Sequence, residues 1–352
     1  MDYIAKTIDL VRKITELAFS EKKKSGFLIG NTAKIDKEGL YLTPIRITSN
    51  MVVGGVIVYS ESQAIKITKA VDGKVNYVLV DAEKKVADVK SISGESANIE
   101  RAVREIVIKS KLWVYKGNDL SVEAVDTLLG YLFKDSLKGI GGKRIAIIGG
   151  GNFGSKLALK LVERAANVFL TRRDKGKLKT IVDAINLIKP RYTYAKVNCT
   201  KDNLLAANKA EALIGTTNGK AIITQEMVQS LAKNAIIIDA GKGTLTLEAF
   251  KIAAKRSIPI YRLDITAALA GMIETQLTME ENIEKKMGRR EFQSESIVAG
   301  GIFGREDEFV VDNITNPKLV YGIANGIGDF IRDLSPNQIE RLKKMEEYIS
   351  NH

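Results

Sequence analysis

The chain has 352 residues and carries 54 Lys and Arg against 42 Asp and Glu, a net charge of +12, with 45% hydrophobic and 27% charged residues. This composition describes a soluble globular protein large enough for two domains and excludes a disordered chain. A single cysteine, Cys199, and a single histidine, His352 at the last position, exclude an internal disulfide, a zinc site of Cys and His ligands and, unless the tail folds into the site, a histidine general acid.

Ile4, Ile8, Val11, Ile14 and Ala18 recur at helical spacing and predict an amphipathic first helix that ends near the Glu21–Lys24 charge run. It is expected to pack on the body or on a second subunit, the latter giving a homodimer. Membrane-surface binding is disfavoured, because Asp2, Asp9 and Glu16 dilute its basic face. Strands are expected at Phe27–Ile29, Leu40–Ile47, Met51–Tyr59 and Val75–Val80, with a helix from Ser60 to Val71 and a turn at Asp72-Gly73. Glu95–Lys109 reads as a helix, Leu112–Tyr115 as a strand, and Leu120–Phe133 as a helix introduced by Asn118-Asp119. The alternation predicts an α/β substrate domain over residues 1–138, closed by the glycine-rich hinge Lys138–Gly142.

Lys143 to Asp174 reads KRIAIIGGGNFGSKLALKLVERAANVFLTRRD. Arg144–Ile148 is a β-branched strand, and Gly149, Gly151 and Gly154 follow at G-x-G-x-x-G spacing. Leu157, Ala158, Leu161 and Val162 continue as a helix, and Asn167–Thr171 is a second strand. Gly149 allows the tight turn, Gly151 lets backbone approach a pyrophosphate, and Gly154 lets helix pack closely on strand. The phosphates would lie on free N–H groups at the positive helix end, with Asn152 and Phe153 in the same turn. A non-binding relic of the fold is the alternative.

An NAD-preferring site needs a carboxylate about 20 residues after the first glycine. Here Thr171, Arg172 and Arg173 occupy the place and no acid precedes Asp174, so NADP is the expected cofactor. A solvated basic turn is the bland alternative. Further strands near Tyr194–Val197, Ala212–Ile214, Ala235–Ile238 and Ile258–Leu263 complete a Rossmann-type doubly wound parallel sheet over residues 139–265. Gly215-Thr216-Thr217-Asn218 and Asp239-Ala240-Gly241-Lys242-Gly243 fall at strand ends. There Thr216, Thr217, Asp239 and Gly241 should flank the nicotinamide, unless these are only tight turns. Residues 266–352 are expected to be a C-terminal helical segment returning to the N-terminal domain, with helices at Ala267–Met287 and Lys318–Arg332, an irregular Gly/Ser stretch between them, and a last helix from Ser335-Pro336.

The middle of the chain, Asn118 to Ala240, resembles the shikimate dehydrogenase and glutamyl-tRNA reductase group of two-domain NADP-dependent dehydrogenases, and more distantly methylenetetrahydrofolate dehydrogenases. KGNDLSVEAVDTLL, IIGGGNFG, TRRDKGK, LIGTTNG and AIIIDAG carry the resemblance. It implies the two-domain architecture, and Thr171-Arg172-Arg173 looks like a variant of the family's NADP-selecting Asn-Arg-Thr turn. It also implies that Asn118 and Asp119 correspond to the family's Asn and catalytic Asp, without the Thr that intervenes there. Where the family has its catalytic lysine after a Thr-Pro-type segment, Thr43-Pro44-Ile45-Arg46 offers an arginine.

The expectation is thus an NADP-dependent dehydrogenase that transfers a hydride to or from a carbonyl or imine carbon of a small polar, carboxylate-bearing metabolite. Arg46, Lys116 and Lys242 are candidate carboxylate clamps, each of which also reads as an ordinary surface charge. Asp119 and Lys242 are candidate proton-handling groups, with Asn118 orienting the substrate. Asp119 reads equally as the N-cap of a helix beginning at Leu120. An NADP-responsive regulatory module and a non-redox lyase or cyclase retaining dinucleotide are the alternatives. No metal is expected, and no nucleic-acid partner, since no aromatic-basic RNA motif or Cys/His finger is present. No run reaches the roughly 18 apolar residues of a membrane span. Without a signal peptide at the start of the sequence, a cytoplasmic location is expected.

Overall fold

The computed structural model describes residues 3–32, 40–87 and 96–351. The chain divides into two compact units, Met1–Gly271 and Met272–His352.

The first unit holds two sheets. The first is built from α1 (Tyr3–Ser20), β1 (Lys24–Asn31), β2 (Tyr41–Ile47), β3 (Met51–Val58), α2 (Glu61–Val71), β4 (Tyr77–Asp81), α3 (Ile99–Arg104), β5 (Lys111–Tyr115) and α4 (Gly117–Leu132). Its strand order is β2-β3-β1-β4-β5, parallel except for β2, which runs antiparallel to β3. β1 and β3 are buried along nearly their whole length, as strands covered on both faces must be. The stripe of Leu10, Val11, Ile14 and Ala18 on α1 packs into this core with Phe27, Ile29 and Val52, so the first helix is bound to its own sheet. The helix expected over residues 95–109 shortens to α3. Asn98 caps its start, and Asp72 takes the N–H groups of Ile108, Lys109 and Ser110, which draws the chain out of helix.

The second sheet follows with β6 (Arg144–Ile148), α5 (Asn152–Glu163), β7 (Asn167–Thr171), α6 (Lys175–Ile188), β8 (Val197–Thr200), α7 (Asn203–Ala207), β9 (Ala212–Gly215), α8 (Gln225–Ser230), β10 (Ile236–Asp239), α9 (Leu247–Lys255) and β11 (Ile260–Arg262). The order β11-β10-β9-β6-β7-β8 is parallel throughout, and is the doubly wound Rossmann arrangement. Core lies on both faces. Ala146, Ile148, Leu213 and Ile237 face one side with Met227 and Ala249. Ile145, Ile147, Val168 and Ile214 face the other with Leu157 and Leu161 of α5 and Val122, Val125 and Leu129 of α4.

α10 (Thr266–Glu281) leads into the second unit, which continues with a π-helical turn at Asn282–Lys286, β12 (Gly288–Phe292), β13 (Glu295–Ala299), β14 (Phe309–Val311), β15 (Val320–Ile323) and α11 (Pro336–Ser350). The helical expectation for residues 266–352 holds for α10 and α11 only. Between them stands a sheet of order β12-β13-β14-β15, and residues 318–332 are β15 and turns instead of a helix. Gly322, Gly326 and Gly328 at φ +154°, +78° and +94° explain the difference, since a helix cannot pass through them. Ile297, Ala299, Phe309, Val311 and Ile323 bury one face of that sheet against Met345 and Ile349 of α11.

Glycine packing in the first sheet gives a stability test. A Cβ on Gly55 would run into the Leu28 backbone of the neighbouring strand, whereas one on Gly176, in the first turn of α6, would meet only Asp174 Oδ1 at 3.7 Å. Gly55→Ala should lower unfolding free energy by about 2–3 kcal/mol, and Gly176→Ala should raise it by ~0.5 kcal/mol. Urea unfolding midpoints of the two variants check this.

Candidate functional site

The site starts at the switch point of the second sheet, between β6 and β9, where ligands of open parallel sheets bind. Gly149 follows β6 at φ +123°. The turn is pinned to the end of β7, because the Thr171 carbonyl accepts the N–H groups of Gly149 at 3.2 Å and Gly150 at 2.6 Å. A Cβ on Gly154 would strike the Gly149 carbonyl, so only glycine allows α5 this close to the turn. Gly151 is the N-cap of α5, and a Cβ there would meet nothing within 4 Å. The first helical bond is Ser155 N–H to the Gly151 carbonyl at 2.9 Å, so the preceding N–H groups of Asn152 and Phe153 face out of the helix end. This is a cradle that a phosphate fits. Phe153 packs its ring on the core, and Thr171 is buried and acts through its carbonyl.

At the end of β7, Arg172 Nη1 donates to the Gly150 carbonyl at 2.6 Å, folding its guanidinium over the glycine turn. Arg173 is exposed. Asp174 is the N-cap of α6 and accepts from the Lys177 N–H at 3.0 Å, which commits the nearest carboxylate to the helix. One group missed in the sequence joins this edge. Lys201, just beyond β8, lies against Lys175, whose proximity as a hydrogen-bonding neighbour, with some desolvation and like-charge repulsion, holds it below the usual lysine range.

The loops after β9 and β10 interlock. Thr216 Oγ1 donates to the Gly149 carbonyl at 2.7 Å and to the Ile148 carbonyl at 3.1 Å, tying the β9 loop to the glycine turn. Thr217 Oγ1 closes its own loop on the Lys220 carbonyl. A Cβ on Gly241 would strike the Thr217 carbonyl, and the Gly219 N–H reaches the Gly241 carbonyl at 3.0 Å. Asp239 is buried and accepts from Gly243 N–H at 2.7 Å and from Thr244 Oγ1 at 2.7 Å, so its carboxylate shapes the loop. That loop holds Lys242 in the left-handed region at φ +59°, with its ammonium 5.5 Å from the centre of the Tyr41 ring on β2.

Tyr41 belongs to the first sheet, and three other contacts join the same two walls. Arg46 Nε lies 3.4 Å from Asp264 Oδ1, Asn118 Nδ2 donates to Asn152 Oδ1 at 2.9 Å, and Lys156 Nζ lies 3.3 Å from Glu83. Asn118 and Asp119 are in the first turn of α4, whose N-cap is Lys116; Asp119 is therefore not the cap of a helix starting at Leu120. The helix starts earlier because Asp81 accepts the Gly117 N–H and Glu83 the Asn118 N–H. Asp119 pairs with Lys156 at 2.6 Å and lines an open groove of about 420 Å³ between α4 and α5. Lys116 is exposed. His352 lies outside the described residues.

Residues 144–243 match the family model described as NADP oxidoreductase, coenzyme F420-dependent. Strand order, glycine turn and this match make the span an oxidoreductase-type NAD(P)-binding domain. Among solved structures, L-tryptophan dehydrogenase from Nostoc punctiforme is similar at 16% identity over 73% of this chain and 75% of that one, with a TM-score of 0.42. The A chain of dipicolinate synthase from Bacillus subtilis is similar at 16% identity over 73% and 79%, TM-score 0.36. A shikimate 5-dehydrogenase from Mycobacterium fortuitum is similar at 13% identity over 70% and 90%, TM-score 0.38. No curated protein sequence matches. Among the described residues no cluster of His, Cys, Asp or Glu is arranged to hold a metal, and no helix is long and apolar enough to cross a membrane.

Glu83 gives this region a pH signature. Burial pushes its carboxyl up, but the Lys85 ammonium, the Asn118 N–H and Lys156 outweigh that and leave it below its ordinary range. A depressed folded value means that the stabilisation is complete above the usual glutamate pKa of about 4.3 and is lost as pH falls through the folded value. Glu83→Gln should lower stability at neutral pH, yet flatten the loss of urea midpoint between about pH 5 and pH 3. Parallel acid limbs for variant and unmodified protein would contradict this assignment.

Proposed function

We propose that the chain is an NADP-dependent oxidoreductase acting on a carbonyl or imine carbon of a small carboxylate-bearing metabolite. The observation that carries the reading is the open N-terminus of α5 at Gly151, set at the switch point of a Rossmann sheet inside the matched span. The pyrophosphate would rest on the N–H groups of Asn152 and Phe153, with Gly149 and Gly154 holding the turn and Thr171 and Thr216 bracing it. The nicotinamide supplies or takes the hydride when bound. Thr217, Asp239 and Gly241 shape the two loops that would flank it.

Selection for the 2′-phosphate falls to the basic edge. Asp174, the acid nearest the end of β7, is the N-cap of α6 and accepts the Lys177 N–H through Oδ1, which turns it toward the helix and away from the role of ribose 2′-hydroxyl partner. Arg173, Lys175 and Lys201 would take the phosphate, and an anion there would relieve the crowding of the two lysines. NADPH should therefore bind at least tenfold more tightly than NADH, a difference of about 1.4 kcal/mol. Arg173→Ala combined with Lys201→Ala should remove most of that preference. These positions are cleaner than Arg172, whose loss would also loosen the glycine turn. Equal NADPH and NADH affinities in the unmodified protein, measured by fluorescence titration, count against NADP. Gly151→Val should fold normally and bind neither dinucleotide, since its side chain would fill the phosphate cradle.

Lys242 is the proton donor of this proposal. It is donor-only at neutral pH, stands at the meeting of the two walls, and is held out by a left-handed backbone. Asn118 would orient the substrate near α5, and Asp119 would serve by holding Lys156 beside Glu83. Lys242→Met should reduce turnover roughly 10²-fold or more with unchanged NADPH affinity, and Asp119→Asn should cost less. Normal turnover in Lys242→Met, in a coupled assay of NADPH oxidation, would remove lysine from the proton step.

A further inference from the structure

Two helices meet along a seam that begins at the first turn of α5. Asn152 and Lys156 stand one turn apart on the same face of that helix, and the first turn of α4 takes them both. Asn118 Nδ2 donates to Asn152 Oδ1 at 2.9 Å, and Lys156 Nζ lies 2.6 Å from Asp119. Lower rungs join Lys160 to Glu123 and Arg164 to Asp126. The first two rungs go on to the first sheet, and they reach it at one side chain. Glu83, just beyond β4, accepts the Asn118 N–H at 2.7 Å through Oε2, and its Oε1 lies 3.3 Å from Lys156 Nζ. Lys85, 2.8 Å from Glu83 Oε2 and 2.8 Å from Asp81, keeps that carboxylate at the sheet end. The Glu83 side chain is only 12% exposed, so these contacts are shielded from the water that weakens ion pairs on open surface.

We propose that Glu83 is a positioning residue for the dinucleotide: from the end of the first sheet it fixes the first turn of α5, and with it the N–H groups of Asn152 and Phe153 on which the pyrophosphate would rest. This deepens the oxidoreductase reading and rests on it. The glycine turn is already pinned from its own sheet, through the Thr171 carbonyl and the Thr216 hydroxyl. Glu83 adds a hold from the opposite wall by two routes, one through Asn118 to Asn152 and one through the Lys156 ammonium. Charge and position act in opposite directions here. A carboxylate on this side of α5 repels an anionic ligand through its field, so a purely electrostatic role would make Glu83 a handicap to dinucleotide binding. A positioning role makes it a help, because donors held in place need no reordering when the phosphate arrives.

The test measures NADPH and NADH affinity by fluorescence titration in the absence of substrate, so that any role of Asn118 toward substrate does not enter. Glu83→Gln should weaken both dinucleotides about tenfold, a usual size for coupling between sites. Their ratio should stay unchanged, since both carry the pyrophosphate. Asn118→Ala keeps its N–H on Glu83 and removes only the amide link to Asn152; it should weaken both about threefold. In the double variant the combined loss should fall short of the product of the single losses, because both changes act on one turn of α5. Melting curves establish that each variant is folded at the titration temperature. Affinity in Glu83→Gln equal to or above that of the unmodified protein, as a field effect gives, overturns the role, and so does full multiplication of the two losses. Should Glu83→Gln fail to fold, Asn118→Ala decides alone, and unchanged affinity there overturns the role. Failure of the unmodified protein to bind either dinucleotide defeats the oxidoreductase reading, whereas normal binding there with an indifferent Glu83→Gln defeats only the positioning role.

Discussion

Helix α4 is rooted in one sheet and packed into the other, and the geometry of both walls depends on that. Its first turn hangs from the first sheet, through Gly117 N–H to Asp81 and Asn118 N–H to Glu83. Its body contributes Val122, Val125 and Leu129 to the Rossmann core beside α5. Burying three such side chains stabilises the join by several kcal/mol, at roughly 1.5–3 kcal/mol each. The flanking pairs, Asp126 with Arg164 at 2.5 Å and Glu123 with Lys160, set register more than stability, because they are partly exposed. With α4 fixed at both ends, the N-terminus of α5 and the carboxyl end of β4 cannot drift apart independently.

Charge is distributed to match that frame. Carboxylates near the join are spoken for: Asp81 and Glu83 by Lys85 and backbone, Asp119 by Lys156, Asp174 and Asp239 by loop N–H groups. Cations are the less committed groups, with Arg173 exposed and Lys175 and Lys201 crowded together. A surface that satisfies its acids internally and leaves bases outward attracts anions by its summed field as well as by contact. Part of the net charge of +12 is thereby accounted for in the neighbourhood of the glycine turn.

The Rossmann half was legible because its signals are local. Gly149, Gly151 and Gly154 each answer a backbone demand within a few residues, and the strands are continuous apolar runs. What failed depended on contacts distant in sequence. Residues 318–332 have helical-looking apolar spacing, but three glycines and the partners of β15 and α11 make them strand and turn. Asp119 resembled a cap because the start of α4 is set by Asp81 and Glu83, more than thirty residues upstream. Lys201 carried no motif at all. A lysine after a strand acquires meaning only when Lys175 of α6 arrives beside it.

The first sheet also bears on whether the chain turns over substrate or only responds to dinucleotide. A regulatory module that closes on NADP needs the α5 cradle and the basic edge, and nothing further from the opposite wall. Yet that wall keeps polar groups in an unsatisfied state. Among the described residues, Asn31 Oδ1 on β1 and Thr43 Oγ1 on β2 are buried without a hydrogen-bond partner. Each such group costs about 1–3 kcal/mol of folding free energy relative to a paired one. Valine at position 43 would avoid the cost at nearly the same size. Retaining the oxygen is economical when a second ligand pairs with it, which favours a bound substrate opposite the dinucleotide over a module that binds dinucleotide alone.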